Sequence, residues 1–350
     1  MTPQVVSLFC GAGGMDFGLS KAGFETSYAL DIDRDSTETF RQEFRSAEVI
    51  HGDLREFLKQ KKGSFPKCDL VVGGYPCQPF SMGGSRNPTS DSRSNLFLAF
   101  AEALNRIRPK AFIAENVSGL TSLGSGVWFH KQLDVFRNQL AVRYRVTHML
   151  LNAADYGIPQ FRKRVFIVGI RAGLREEFVF PEATHCDMSQ SAILGLDSYL
   201  SHGEVIKKFP ANPDGEYYEL EDEAQNFSWY YLSRNRRKHW SEPSYTIVAN
   251  PRHTPIHPAS PSMELVWSNL KDGYKQGWKF TRKYDHHKFY QDFPKLRPRR
   301  LSWREAAAIQ TFPKSFEPIG NLASKYKQVG NAVPPKLMEV IGLKLRNYIG

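Results

Sequence analysis

Val5-Val6-Ser7-Leu8-Phe9-Cys10-Gly11-Ala12-Gly13-Gly14 passes from an apolar, strand-like segment through a glycine-rich turn into the helical pattern Gly14–Ala22. Glycines at such a turn let the backbone approach a ligand, and the free N–H groups at a helix start attract a carboxylate or phosphate. The same alternation continues outward from this stretch. Val5–Phe9, Ser27–Ile32, Leu70–Gly73, Ala111–Glu115, Arg145–Leu151 and Val165–Ile170 read as strands, with helical patterns at Gly14–Ala22, Asp35–Phe44, Leu96–Arg108 and Trp128–Leu140. A βαβα order predicts a mainly parallel sheet with helices on both faces, which binds ligands beyond the carboxyl ends of its strands. The pattern breaks down after about Gly173, where short segments, prolines and charge clusters run to about Pro298. That stretch reads as a smaller, irregular, β-containing domain. Regularity returns at Ser302-Trp303-Arg304-Glu305, a capping-box signature, and the stripe Leu337, Ile341, Leu345, Tyr348 predicts a closing helix that packs back onto the first domain. The expected divisions are 1–178, 179–300, a connecting helix in 301–325, and a returning segment in 326–350.

The glycine turn departs from a dinucleotide fingerprint, because Asp16 occupies the sixth position and an acid there is expected to repel a pyrophosphate. NAD and FAD, and with them hydride transfer, are disfavoured. Asp31 ends the second strand, where a carboxylate accepts both hydroxyls of a ribose. Asp53, in His51-Gly52-Asp53, falls at the end of the third strand and suits an adenine amino group. Each acid alone is more often a cap or turn residue. Together they fit a nucleoside cofactor carrying a carboxylate in place of a pyrophosphate, S-adenosylmethionine.

Gly73-Gly74-Tyr75-Pro76-Cys77-Gln78-Pro79-Phe80-Ser81 places a cysteine in a proline-bracketed loop directly after the strand Leu70–Gly73. Pro76 and Pro79 restrict φ and remove donors, so the loop is stiff and cannot extend the sheet. A thiol at a strand end is where an α/β enzyme displays a nucleophile, although a lone cysteine is also commonly a buried structural thiol. Ala114-Glu115-Asn116-Val117 closes the strand Ala111–Glu115, and a carboxylate beside that apolar run is expected to be partly desolvated and to act as an acid near neutrality. Pairing with an arginine or capping a turn is the competing role. In extended chain, Gln160, Arg162 and Arg164 point the same way, so two guanidinium groups can hold a phosphate, a carboxylate and a pyrimidine carbonyl; charges guarding a strand edge are the alternative.

Bulk properties limit the partners. The 350 residues carry a net charge of +11, with 41% hydrophobic and 24% charged residues. No apolar run reaches the length of a membrane span. The N-terminus enters a strand without a basic or cleavable leader, and the four cysteines are scattered without zinc-ligand spacing. A cytoplasmic, reduced protein with no metal is expected. Charge is segregated: Ala183–Ser233 holds 2 basic against 9 acidic residues, whereas Arg234–Arg300 holds 15 against 5 and ten aromatics. Basic residues interleaved with Trp240, Tyr245, Trp267, Trp278, Tyr284 and Tyr290 suit phosphate contacts and base or sugar packing, and equally an ordinary solvated surface over core aromatics.

With these residues assembled, the chain resembles a DNA (cytosine-5) methyltransferase of the bacterial restriction-modification type. The resemblance rests on Pro76-Cys77-Gln78, Glu115-Asn116-Val117, Gln160-x-Arg162-x-Arg164 and Gln328-Val329-Gly330-Asn331-Ala332-Val333-Pro334-Pro335, and runs from Phe9 to Pro335. It implies a Rossmann-like S-adenosylmethionine-dependent domain joined to a target-recognition domain. Cys77 would be the nucleophile and Glu115 the group that engages N3 and the exocyclic amine of cytosine. Arg164 would contact the base carbonyl and Glu115, and Arg162 would lie near Cys77 and the target phosphate. Phe9, Gly11, Gly13, Asp31, Ile32, Asp53, Pro76, Leu96 and Asn331 would line the cofactor pocket, with Gln78 and Ser81 on a loop that closes over DNA.

Arg299-Arg300-Leu301-Ser302 with Arg304-Glu305 matches a motif that organises the recognition domain, and Thr246-Ile247 a pair common within it. Arg234, Arg236, Arg237, Thr246 and Arg252 are the expected DNA contacts. Two departures stand out: Tyr75 where phenylalanine is usual, and Asp31 where glutamate is usual. The implied partners are double-stranded DNA and a separately encoded cognate endonuclease, with the enzyme a monomer. A tRNA cytosine-5 methyltransferase on the same scaffold is the main alternative, favoured less by the long basic and aromatic stretch. A non-catalytic DNA-binding regulator is disfavoured by the presence of both Cys77 and Glu115.

Overall fold

A computed structural model describes residues 1–60, 64–76, 96–218, 227–270, 273–285 and 293–349. The chain divides into two compact units, one of 1–152, 163–182 and 332–350, the other of 153–162 and 183–331. In the first, seven strands form one sheet: β1 (Gln4–Leu8), β2 (Glu25–Asp31), β3 (Glu48–His51), β4 (Leu70–Gly73), β5 (Ala111–Val117), β6 (Tyr144–Asn152) and β7 (Lys163–Arg171). Their order is β3-β2-β1-β4-β5-β7-β6. The first five pair in parallel, and β7 runs antiparallel to both β5 and β6. This is the predicted doubly wound, mainly parallel α/β sheet. Every residue of β4 is buried, as expected of a central strand covered on both faces.

The helices of this unit are α1 (Gly14–Lys21), α2 (Arg34–Glu43), α3 (Leu54–Lys59), α4 (Leu96–Ile107), α5 (Gly119–Ser122) and α6 (Val127–Asn138). Asp33 caps α2 by accepting from the Ser36 amide. On α4, Phe97, Phe100, Ala101 and Leu104 recur at helical spacing and are buried; Phe100 packs on Phe112 of β5 and Phe136 of α6. Fully burying one such ring stabilises by about 2–3 kcal/mol, so this trio fixes α4 and α6 on one face of the sheet. The helix Pro335–Ile349 buries Leu337, Ile341 and Leu345 and packs along α1, returning to the first unit as its stripe predicts. The structure places 332–350 there, whereas 301–331 belongs to the second unit.

The second unit is irregular. It holds the two-residue strands β8 (His185–Cys186) and β9 (Asp197–Ser198) and an antiparallel ribbon, β10 (Met263–Leu270) and β11 (Gly273–Phe280). Its centre is the helix Trp303–Ile309, whose predicted capping box is present: Glu305 N donates to Ser302 Oγ at 3.1 Å and Ser302 N to Glu305 Oε2 at 2.8 Å. Among the described residues no helix is long and apolar enough to cross a membrane.

Candidate active site

The carboxyl ends of β1, β2, β4 and β5 hold expected site residues of the first unit. Beyond β1, Phe9, Gly11 and Gly13 all have positive φ, 55°, 54° and 84°. Gly13 accepts that geometry as the N-cap of α1 and offers no side-chain acceptor to the first amides of the helix. A Cβ at Gly11 would meet no atom within 4 Å, so the turn is open on that side. Asp31, at the end of β2, braces the turn: its Oδ2 accepts from Gly11 N and its Oδ1 from Asp33 N, both at 2.8 Å. Ile32 beside it is 64% exposed. Cys10 lies buried under the same turn, its thiol pushed well above its ordinary pKa by burial and then by Asp31 and Asp16.

Asp16 does not face the turn. Its carboxylate is buried beneath β1 and β2, where it accepts from Ser7 Oγ at 3.0 Å and Thr26 Oγ1 at 2.8 Å, and burial raises its pKa to about 6. The expected repulsion of a pyrophosphate by Asp16 is therefore corrected, because its helical position turns the side chain inward. Asp53 caps α3, accepting from Arg55 N at 2.8 Å, and pairs with the Arg55 guanidinium at 2.5 Å. The hydrogen bonds from Arg55 hold its carboxyl below the usual range.

Glu115 is buried near the end of β5. Arg164, at the start of β7, reaches it with Nε 3.0 Å from Glu115 Oε1. Register explains the pair: Val117 faces Arg164 and Glu115 faces Phe166, so the two charges meet on the diagonal of one sheet face. Burial pulls the Arg164 pKa down and Glu115 pushes it back up. The other carboxylate oxygen, Oε2, lies 3.1 Å from where a Cβ on Gly74 would stand, so a side chain at 74 would crowd the acid. Asn116 Nδ2 donates to Tyr75 O at 3.0 Å, joining the ends of β4 and β5. Pro76 is exposed and Leu96 buried; Cys77, Gln78 and Ser81 lie outside the described residues.

Other expected residues belong to the second unit. Gln160 is buried, accepts from Ile247 N at 2.9 Å and donates to Gln310 Oε1 at 3.2 Å. Arg162, also buried, donates to the carbonyls of Ile247 and Gly330, each at 2.9 Å. The extended alternation that set Arg162 and Arg164 on one side does not carry through: only Arg164 stands in the strand, and Arg162 ties backbone segments of its own unit together. Asn331 is exposed at the end of the helix Leu322–Asn331. Arg237 also departs from expectation: it is buried, donating to Ser260 O at 2.9 Å and Pro258 O at 2.5 Å and pairing with Asp285 at 2.7 Å. Arg234 and Arg252 are exposed, Arg252 donating to Tyr218 Oη at 3.0 and 3.1 Å. Arg236 stacks over Tyr231 at 5.0 Å, and Thr246 Oγ1 donates to Phe161 O at 2.6 Å.

Sequence reasoning missed Gly74 beside the Glu115 carboxylate, Gln132, which accepts from Tyr75 Oη at 2.7 Å, and the pairing of Arg299, which donates to both oxygens of Glu305. For Gln132 a signal existed: it is the polar member of a stripe with Phe129, Leu133 and Phe136 on α6.

Residues 3–347 match the family model of the C-5 cytosine-specific DNA methylases. The chain is 34% identical to the Type II methyltransferase M.BspRI of Lysinibacillus sphaericus, over 99% of this chain and 82% of that protein. It is 35% identical to M.MthTI of Methanothermobacter thermautotrophicus, over 99% and 98%. Among solved structures, the Dnmt2 methyltransferase of S. pombe superposes with a TM-score of 0.63 over 99% of both chains, at 18% identity, a likeness of fold. With a family match spanning nearly the whole sequence and a sheet whose strand ends carry the expected acid and glycine turn, this chain belongs to the C-5 cytosine-specific DNA methylases.

Proposed function

We propose that the protein moves a methyl group from S-adenosylmethionine to C5 of a cytosine flipped out of duplex DNA, through a covalent bond between Cys77 and C6. The arrangement that supports this reading is Glu115, gripped by Arg164 and set against Gly74, three residues before Cys77. The open turn at Phe9, Gly11 and Gly13, the carboxylate of Asp31 and the exposed Ile32 support a nucleoside cofactor at this strand end, and the family's motifs make it S-adenosylmethionine. Asp53, Pro76 and Leu96 are assigned to the same pocket by the family's motifs. When bound, S-adenosylmethionine supplies an electrophilic methyl group.

Cytosine C5 is a poor nucleophile until the ring's conjugation is broken. Attack of the Cys77 thiolate at C6 does so and gives C5 enamine character. Glu115 engages N3 and the exocyclic amine as charge develops on the ring, taking up the proton it shares with N3 on binding the base, and Arg164 holds Glu115 and contacts the base carbonyl. After C5 has taken up the methyl, loss of its proton to a base and elimination release Cys77. Arg162 is kept as a positioning residue, given its two carbonyl partners. Flipping the base costs a few kcal/mol, which phosphate contacts from the basic 234–300 stretch would offset; exposed Arg234 and Arg252, with Arg236 and Thr246, are proposed there, and Gln78 and Ser81 on the loop over DNA. Its relatives carry Type II methyltransferase names, and we assign this chain the same modification role beside a separately encoded endonuclease.

Bisulfite sequencing of plasmid DNA incubated with the protein and S-adenosylmethionine tests the reading. Conversion-resistant cytosines in one recurring context are expected, and Cys77→Ser should abolish them while DNA binding persists. Full protection by the Ser variant would overturn the nucleophile assignment.

A further inference from the structure

Tyr75 stands where the family usually has phenylalanine, and the structure gives its hydroxyl a partner. Tyr75 Oη donates to Gln132 Oε1 at 2.7 Å, and both side chains are almost fully buried, 3% and 4% exposed. Polar groups buried in an aromatic layer persist when they are hydrogen-bonded, and this contact supplies a bond to both. The layer is well defined. Tyr75 packs on Phe100 with ring centroids 5.6 Å apart and edge-on to Phe9 at 6.3 Å, while Gln132 shares the buried face of α6 with Phe129, Leu133 and Phe136.

The backbone of Tyr75 is held as well. Its carbonyl accepts from Asn116 Nδ2 at 3.0 Å, and Asn116 Oδ1 accepts from Val117 N at 2.9 Å. The residue between Gly74 and Pro76 is thus tied at its carbonyl to the end of β5 and at its side-chain tip to α6. Phe9, against the same ring, belongs to the turn beyond β1. A phenylalanine would keep the ring contacts and lose the fastening to α6.

We propose that the Tyr75–Gln132 hydrogen bond is a positioning tether for the nucleophile: it fixes the direction in which the chain leaves β4 toward Cys77 relative to Glu115, so Tyr75 and Gln132 act on turnover without touching the base. The proposal rests on the reading of Cys77 as nucleophile. A tether of this kind governs how often the thiol is aligned, not how well DNA or cofactor binds.

The test compares wild type, Tyr75→Phe, Gln132→Leu and the double variant Tyr75→Phe/Gln132→Leu for single-turnover methyl transfer to duplex DNA, KM for S-adenosylmethionine, and thermal melting. Each single variant breaks this buried hydrogen bond from one side and should melt lower. The double variant removes both polar partners, so its melting should recover toward wild type. Its turnover should stay about three- to tenfold low with KM unchanged, the factor set by one lost hydrogen bond. Recovery of turnover together with melting would show the pair to be only packing and overturn the proposal, as would wild-type turnover in Tyr75→Phe. Absence of methyl transfer by the wild-type protein would instead sink the functional reading, which keeps the two failures apart.

Discussion

Glu115 and Glu305 are both buried and both face an arginine, but they are held in different ways. In the first unit Arg164 meets Glu115 through Nε, 3.0 Å from Oε1, while Oε2 is turned toward Gly74. In the second unit Arg299 grips both oxygens of Glu305, Nη1 to Oε2 at 2.9 Å and Nη2 to Oε1 at 2.8 Å, and Ser302 N adds a third donor. His257 Nε2 lies 3.5 Å from Oε1, yet burial and the nearby Arg299 push the imidazole far below its ordinary pKa, so that contact is not an ion pair. The Glu305 carboxylate, bound through both oxygens inside its own fold, reads as scaffold, whereas Glu115 stands at a strand end beside the backbone of Gly74.

That contrast can be broken most directly at Glu115. Glu115→Gln should lower turnover by about 10²- to 10⁴-fold, the usual weight of a positioned acid, with little change in S-adenosylmethionine affinity and a lower melting temperature, since it leaves the buried Arg164 without its counter-charge. Lost cofactor binding with normal turnover at saturation would reverse the assignment. Glu305→Ala should do the opposite. Removing it strands the buried Arg299 guanidinium, at a cost of about 3–5 kcal/mol, which chemical denaturation would read as an early transition of the second unit. An unchanged transition would mean that the clamp is not what holds this unit.

Asp16 sharpens the comparison, since it is a buried carboxylate served by two hydroxyls and no arginine. Burial raises its folded pKa to about 6 from the ordinary 3.8, so the folded state holds this proton more tightly than the unfolded one. The resulting stabilisation is fully present below pH 4 and is lost as pH rises through about 6, a swing on the order of 3 kcal/mol. Asp16→Asn should remove that part of the slope in denaturation midpoints measured between pH 4 and 6; an unaltered slope would assign it elsewhere. The smallest effect concerns two arginines of the basic stretch. Arg234→Ala should weaken DNA binding by about 1 kcal/mol and lower the log–log salt slope by about one without moving the melting temperature. Arg237→Ala should lower the melting temperature, and a variant that weakened DNA binding alone would return Arg237 to the interface.

Much of the first unit was legible from local pattern. Apolar runs, helical stripes and the turn Phe9–Gly14 express themselves within about ten residues, so the six expected strands, the four expected helices and the open turn fall where the pattern puts them, whereas the short β3, α3 and α5 carry too few residues to show a period. Alternation also set Glu115 at the end of its strand. It failed for Arg162, because a period of two holds only while the chain remains extended, and residues 153–162 leave the sheet for the other unit. It failed for Arg237, since composition counts charges without telling a solvated guanidinium from one walled in by Ser260, Pro258 and Asp285.

By itself, then, the order of residues determined the class of sheet, the glycine turn, the capping box at Ser302 and the family of the chain, all of which depend on short-range sterics or contiguous motifs. The family resemblance anticipated that Arg164 meets Glu115, but only the folded chain decided how that pair forms and which partners Asp16 and Tyr75 find. Arg164 reaches Glu115 through the antiparallel register of β5 and β7, Asp16 turns inward on α1, and Tyr75 finds Gln132 on α6. Such pairings need strands in register and helices docked on the sheet, and the free energy that selects them comes from burying groups far apart along the chain.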